Sequence, residues 1–458
     1  MTAHNASASG SEETGSAAAR AAMFGALISA SHTSTLEQIP DLVSEHARRV
    51  GLREVLIYLA DLQQEVLSPL VSQPAPAGTP ERDEIGIEGT VAGRAFQHGK
   101  ILPATVRDPE QWWVPLVDGT DRLGVLRIAV PAVDPEVLLD MERLAGLVAL
   151  LVVSKRPLSD TYARLVRRRR MSVSAEMEWR LMPQRTFATD RLVISAVMEP
   201  AYDVSGDVYD YAFEGRTAHL AIFDAMGHDT AAGLTANLAL TTLRNSRHEG
   251  DGLALAAAKI DEALTGQFGG ERFATGVIAK LDIPSGALAW VNCGHHPPVI
   301  VRRRATIELE CPPGSPTGTG LHLPVTVCHA QLQPGDRLLL YTDGITEARN
   351  RHGEEFGMER FTDFLIRHQA DELPVPETLR RLIHHHLDYH ERRLRDDATV
   401  VLVEWPGSPY SQRETEALTG LPPESDGAPS GGYGGGDSAS GRGSSESGAD
   451  GRIIDGSA

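Results

Sequence analysis

Cysteine is scarce in this sequence: Cys293, Cys311 and Cys328 are the only three among 458 residues. An odd number without close paired spacing excludes a zinc site or a thiol redox motif and fits a reducing cytoplasm. Long apolar runs are missing too. The strongest, Leu144 to Val153, falls far short of the roughly 20 residues that cross a bilayer; its polar flanks predict a buried helix, and membrane insertion is not expected. The N-terminus carries Ser, Thr and Glu in place of the basic start and apolar centre of an export signal. Positive charge is in deficit, with 43 Lys+Arg against 62 Asp+Glu and a formal net charge of −19. Such a surface repels phosphate backbones, which excludes general nucleic-acid binding.

What is present reads as an ordinary soluble composition, 41% hydrophobic and 5% aromatic. The length suggests about three structural units at roughly 150 residues each. Residues 1–20 are small and polar and residues 406–458 are rich in Gly, Ser and Asp, so both ends are predicted to be disordered. Residues 21–155 read as a helix-flanked sheet. A helical pattern through Leu27, Ile28, Leu36, Ile39, Leu42, Val43 and Ala47 precedes strands at Val55 to Leu59, Val66 to Val71, Trp113 to Val117 and Gly124 to Val130. Asp118 and Gly119 predict a hairpin with a slightly extended loop. The order of elements resembles a GAF domain, and Gly89-Thr90-Val91-Ala92-Gly93-Arg94-Ala95 resembles its usual helix start. That resemblance implies a sensor for a small-molecule or protein signal, with a packing or dimerisation domain as the alternative.

Residues 156–183 read as a connecting helix. Arg164 and Arg167 to Arg170 give it a basic face, and Val166, Met171, Val173 and Met177 offer an apolar stripe. The stripe predicts pairing with a second copy in a homodimer, and the position predicts a lever between the two halves.

Residues 184–405 carry the chemistry, because their acidic residues gather at strand ends. Asp203, Asp207 and Asp210 surround Gly206, and an apolar strand from Ala218 to Phe223 ends in Asp224-Ala225-Met226-Gly227-His228-Asp229. The strand Arg337 to Tyr341 ends in Thr342-Asp343-Gly344, and Asp396-Asp397 precedes the closing strand from Ala398. Any one of these is ordinary turn chemistry. Four together suit hard divalent cations, which take oxygen ligands, and a two-metal site that activates water against a phosphate ester. His384, His385, His386 and His390 read as a polar helix face in preference to a metal site, and Asp229 as a cap for the helix that follows.

Ser205-Gly206-Asp207-Val208-Tyr209-Asp210, Asp224-Ala225-Met226-Gly227-His228, Asn292-Cys293-Gly294-His295-His296-Pro297, Tyr341-Thr342-Asp343-Gly344-Ile345-Thr346-Glu347 and Asp396-Asp397-Ala398-Thr399 occur in the order seen in metal-dependent serine/threonine phosphatases, the PPM family. They most resemble its SpoIIE/RsbU branch, whose leading motif resembles Leu181-Met182-Pro183. The resemblance implies an α+β chain with a C-terminal α/β/β/α sandwich. It further implies two manganese or magnesium ions, with Asp224 bridging, Asp207 and the Ala225 carbonyl on one ion, and Asp343 and Asp396 on the other; Asp397 stays ambiguous. The implied substrate is a phosphorylated protein, an anti-sigma factor antagonist in a partner-switching pathway. The rival reading is a catalytically silent scaffold, against which the retained Asp207, Asp224, Asp343 and Asp396 argue.

Overall fold

The computed structural model describes residues 6–72, 84–105, 109–203, 206–370, 374–392, 394 and 396–411. Val204 and Ser205 of the first acidic turn, and the predicted disordered tail from residue 412 on, lie outside the described residues. The predicted disorder of residues 1–20 does not hold from Ala6 onward: α1 spans Ala6–Ser31. Its later turns bury Met23 and Leu27, which anchor a helix whose polar beginning carries no such signal.

The N-terminal half continues with α2 (Ile39–Ala47), β1 (Glu54–Ala60), β2 (Val66–Leu70), β3 (Ile85–Gly86), α3 (Val91–His98), β4 (Leu102–Thr105), β5 (Glu110–Asp118), β6 (Asp121–Val130) and α4 (Pro135–Lys155). The strands form one sheet in the order β3-β2-β1-β6-β5-β4. Alternation along β1 separates its faces. Val55, Ile57 and Leu59 pack with α1, α2 and α4 through Leu27, Val43 and Leu144, whereas Tyr58 and Ala60 pack with Ala92 and Phe96 of α3. Thr90 caps α3 by accepting from the Gly93 amide at 2.9 Å. The β5–β6 loop is tighter than predicted, because pairing runs out to Asp118 opposite Asp121 and leaves Gly119 and Thr120 as the turn.

In place of a single connecting helix there are two, α5 (Asp160–Val166) and α6 (Val173–Leu181). The four arginines lie in the break, where like charges need not share a helix face. The C-terminal half fixes that break: the Tyr202 hydroxyl accepts from the Arg168 amide at 3.0 Å and the Tyr202 carbonyl from the Ser172 amide at 2.8 Å. Nor is the predicted stripe continuous. Val166 is buried but Val173 is 69% exposed, and the buried face of α6 is Ser174, Ala175 and Glu178.

The C-terminal half contains β7 (Thr186–Thr189), β8 (Leu192–Glu199), β9 (Asp207–Glu214), β10 (Thr217–Ala225), α7 (Thr230–His248), α8 (Leu253–Phe268), β11 (Ala274–Asp282), β12 (Ala287–Cys293), β13 (Val299–Arg302), β14 (Ala305–Glu308), β15 (Cys328–Gln331), β16 (Asp336–Tyr341), α9 (Asp343–Thr346), α10 (Gly357–Ala370), α11 (Val375–Tyr389) and β17 (Ala398–Trp405). Two antiparallel sheets, β15-β12-β11-β10-β9 and β14-β13-β16-β17-β8-β7, face each other. Between them lie Ile194, Tyr209, Leu220, Ile222, Leu338, Leu340 and Val401. Alternate residues of the same strands face outward: Ala221 and Phe223 pack under α7 and α8, and Leu339 and Tyr341 under α10 and α11. This is the α/β/β/α sandwich expected from the sequence.

Cys311 and Cys328 form a disulfide, a bond that the sequence reading of a reducing cytoplasm does not anticipate. The chain between them folds back so that β15 begins beside Cys311, which spacing cannot reveal. Cys293 is free and buried, as a packing residue.

Asp210, one of the three clustered carboxylates, faces away from the strand ends. Buried at the foot of α7, it accepts from Arg244 at 2.7 Å and Arg247 at 2.9 Å. Removing one partner of a buried ion pair leaves the others uncompensated. Asp210→Ala should therefore destabilise the domain by about 3–5 kcal/mol in urea unfolding; a loss within experimental error would show that α7 is held by its apolar face alone.

Candidate functional site

Strand periodicity gathers the acidic residues at one edge of the sandwich. Asp207 opens β9 and Asp224 nearly closes β10, directly opposite each other in register. Each continues its strand's inward row, Asp207 with Tyr209 and Asp224 with Leu220 and Ile222. From the other sheet, β16 and β17 pair up to Tyr341 opposite Val400, so Asp343 and the Asp396-Asp397 pair emerge at the same end. Asp203 is exposed.

Thr342 joins the two sheets here. Its hydroxyl donates to Asp207 Oδ2 at 2.7 Å and accepts from the Thr399 amide at 2.9 Å. Two glycines permit the approach. At Gly206, with φ of 130°, a Cβ would lie 3.0 Å from the carbonyl oxygens of both Ala225 and Gly227. A Cβ on Gly344 would lie 1.9 Å from the Asp397 carbonyl oxygen.

The electrostatics are those of crowded carboxylates. Burial, with the charges of Asp224 and Asp397, holds Asp207 well above the usual carboxylate range. Asp224 is pushed up to about 7 by burial and by Asp343, Asp396 and Asp397. Asp343 is raised by burial and Glu347, and Asp396 by burial and Asp343. Asp397 is buried, whereas Asp396 is exposed, consistent with alternate side chains facing opposite ways.

Among the described residues, no three His, Cys, Asp or Glu side chains meet closely enough to form a closed metal cage. The donor set nevertheless suits a hard cation in kind: oxygen donors whose charges raise one another's pKa, beside the Ala225 carbonyl in a cradle that a Cβ would crowd.

The motif histidines have distinct places. The Asn292 side chain closes a turn by accepting from the His295 amide at 2.7 Å and donating to the His295 carbonyl at 2.8 Å. His295 Nε2 lies 3.0 Å from the Tyr341 carbonyl and Nδ1 2.8 Å from Thr275 Oγ1. A carbonyl only accepts, so Nε2 carries the proton and Nδ1 accepts from the threonine. Burial, with His296 adding to it, pushes His295 down to about 4, keeping it neutral as a brace for the end of β16. His228 is exposed. Asp229 caps α7, accepting from the Ala232 amide at 2.8 Å, and pairs with Arg272. His386 and His390 are buried, contrary to the polar face expected of them; the two rings pack on each other, and His386 packs edge-on against Phe356 at 4.9 Å.

Glu178 escapes the sequence reading. Fully buried on α6, it accepts from the Gly206 amide at 3.0 Å and so touches the turn that opens onto Asp207. The available signal was its spacing from Ser174, Ala175 and Met182, which puts a carboxyl on the buried helix face.

Two antiparallel sheets with helices outside and carboxylates at one edge make a sandwich like that of the metal-dependent phosphatases. Residues 214–406 match the family model for Stage II sporulation protein E (SpoIIE); Asp207 lies just ahead of the matched segment. Protein IcfG of Synechocystis is 27% identical over 239 residues, covering 46% of this chain and 37% of that protein. The match thus spans little more than a third of this relative. Phosphoserine phosphatase RsbU of Bacillus subtilis is 19% identical over 237 residues, covering 51% and 69%. The crystal structure of RsbU and RsbW domains from a Mycobacterium tuberculosis protein is 24% identical, with a TM-score of 0.43, covering 48% of this chain and 63% of that one.

Burial pushes the Glu178 carboxyl up to about 9, with Asp397 adding to the rise against the Gly206 amide. Its ordinary value is 4.5, so between these limits the folded chain keeps a proton that unfolding releases. That contribution is fully present below the unfolded pKa and is lost as pH rises through the folded one. Glu178→Gln, neutral at every pH, should flatten the pH dependence of unfolding free energy above about pH 5 by up to about 1.4 kcal/mol per unit. Parallel profiles for the two proteins would mean that Glu178 is ionised in the fold.

Proposed function

We propose that the chain is a metal-dependent phosphoserine/phosphothreonine protein phosphatase controlled by its N-terminal half. The observation that carries this reading is the register of Asp207 opposite Asp224 at the sandwich edge, with Asp343 and Asp396 delivered there from the other sheet. In this reading Asp207, Asp224, the Ala225 carbonyl, Asp343 and Asp396 would hold two manganese or magnesium ions. When bound, such ions supply a water of lowered pKa and neutralise charge on the phosphoryl group. The chain's own residues do the positioning. Thr342 fixes the Asp207 carboxylate, His295 braces the carbonyl just ahead of Asp343, and the Gly206 turn leaves room at the Ala225 carbonyl. Cys293 is no nucleophile, since burial pushes its thiol up to about 12.

The substrate in this reading is a phosphorylated regulatory protein, an anti-sigma factor antagonist. The phosphoserine phosphatase named among its relatives supports the bond cleaved. The N-terminal half is read as a GAF-like sensor of a small-molecule or protein signal, within a homodimer. Cytoplasmic placement belongs to the same reading. No described helix is long and apolar enough to cross a membrane, although the Cys311–Cys328 disulfide is a bond that reducing compartments do not favour.

The test is manganese-dependent hydrolysis of para-nitrophenyl phosphate by the full chain. Asp224→Asn and Asp343→Asn should each lower the rate by roughly a hundredfold or more while leaving circular dichroism unchanged. Comparing Asp396→Asn with Asp397→Asn decides which member of that pair serves; the greater loss is expected at Asp396. No hydrolysis by the unaltered chain under several divalent metals, with metal binding retained, would establish the silent scaffold instead.

A further inference from the structure

A cavity of about 460 Å³ lies where the N-terminal half, the connecting segment and the start of the C-terminal sandwich meet. It is distinct from the carboxylate edge and from the N-terminal domain's own core. Its size falls within the range of small-molecule sites, which favour junctions between domains. The apolar walls come from the first two parts, Leu62 and Leu123 from the first and Tyr162, Val166, Trp179 and Met182 from the second, while the third supplies Gln184 and Arg185.

Its charges are unequal. Five arginines and four acidic residues line it, and the acids are largely committed. Asp121 pairs with Arg156 at 3.2 Å, Glu176 is shared between Arg167 and Arg180, and Asp61 Oδ1 accepts from the amides of Glu65 and Val66, while its buried Oδ2 has no hydrogen-bond partner among the described residues. Asp160, the fourth, is exposed. Arg122 has its own partner outside the lining, Glu377 at 3.1 Å. Arg185 meets no carboxylate in an ion pair among the described residues; it donates to the Leu62 carbonyl and stacks over the Trp179 ring at 4.8 Å. A guanidinium held this way keeps donors for an anion, although Asp121 and Glu199 lie close enough to share its field.

We propose that this junction cavity is a binding site for a small aromatic anion, a ring carrying a carboxylate, sulfonate or phosphate, with the ring against the apolar walls and the anionic group on Arg185. The site stands whether or not the chain hydrolyses phosphate esters, because its evidence is binding and not turnover.

The probe is anilinonaphthalene sulfonate, titrated into the full chain by fluorescence and calorimetry. Phenylnaphthylamine, the same ring system without the sulfonate, is the neutral control. Saturable binding at a single site is expected, roughly tenfold or more tighter for the sulfonate than for the amine, as one charge-assisted contact provides. Arg185→Met keeps the apolar stem and should erase that preference. Ala163→Trp, which fills the cavity from α5, should abolish saturable binding of both probes; if it fails to fold, Arg185→Met still decides. Absence of saturable binding, equal affinity for the two probes, or unchanged binding in Arg185→Met would overturn the proposal.

Discussion

One short hydrogen bond, from the Thr342 hydroxyl to Asp207, ties the two sheets together at the edge where the acidic residues meet. The carboxylates repel one another, so the edge would splay if nothing crossed it. Thr342 is anchored on its own side as well, since the same hydroxyl accepts from the Thr399 amide of the adjoining strand in its own sheet. A single side chain thereby fixes Asp207 of one sheet against the ends of β16 and β17 in the other. The close approach of Gly344 to the Asp397 carbonyl is possible only because no side chain intervenes, and His295 holds the Tyr341 carbonyl from the opposite side.

The residues legible in the sequence were those whose chemistry is written by position along a strand. Asp207, Asp224, Asp343 and the Asp396-Asp397 pair each stand where an apolar strand begins or ends, and period two then tells which neighbours share a face. The sandwich came from the resemblance instead, because a run such as Leu338 to Tyr341 is buried throughout and period two alone does not say which of its rows faces inward. The motifs supplied by resemblance added the order in which the strand ends come together.

What was not legible depends on contacts between distant segments. The connecting segment reads as one helix because Met171, Val173 and Met177 fall near helical spacing, yet Tyr202 captures the backbone of Arg168 and Ser172 and breaks it. Local propensity gave way to two hydrogen bonds from a loop some thirty positions away. Asp210 looked equivalent to Asp207 in the acidic turn. Three residues further along a strand it faces the other way and meets arginines of α7. His386 and His390 looked like a wet helix face, but Phe356 covers them from a separate segment. The cysteine pair was hidden because a folded-back loop, not sequence spacing, brings Cys311 to Cys328.

Helix α6 stands between the two functional questions that the molecule raises. At about 100° per residue, neighbouring positions point in different directions, and the helix uses this. Glu176, Trp179 and Arg180 face the junction cavity, while Ser174, Ala175 and Glu178 face the C-terminal sandwich. Glu178 holds the Gly206 amide, and the Gly206 carbonyl in turn accepts from the Ala225 amide at 3.0 Å. The turn between Glu178 and the site is thus held at both its polar groups, one by the connecting segment and one by the strand that carries Asp224. A ligand in the cavity alters the site only to the extent that it binds two placements of α6 with different affinity. By the same linkage, whatever orders the carboxylate edge must alter the affinity of the cavity in equal measure. The length of that path is one helix diameter and one hydrogen-bonded turn, with no intervening element to absorb the displacement.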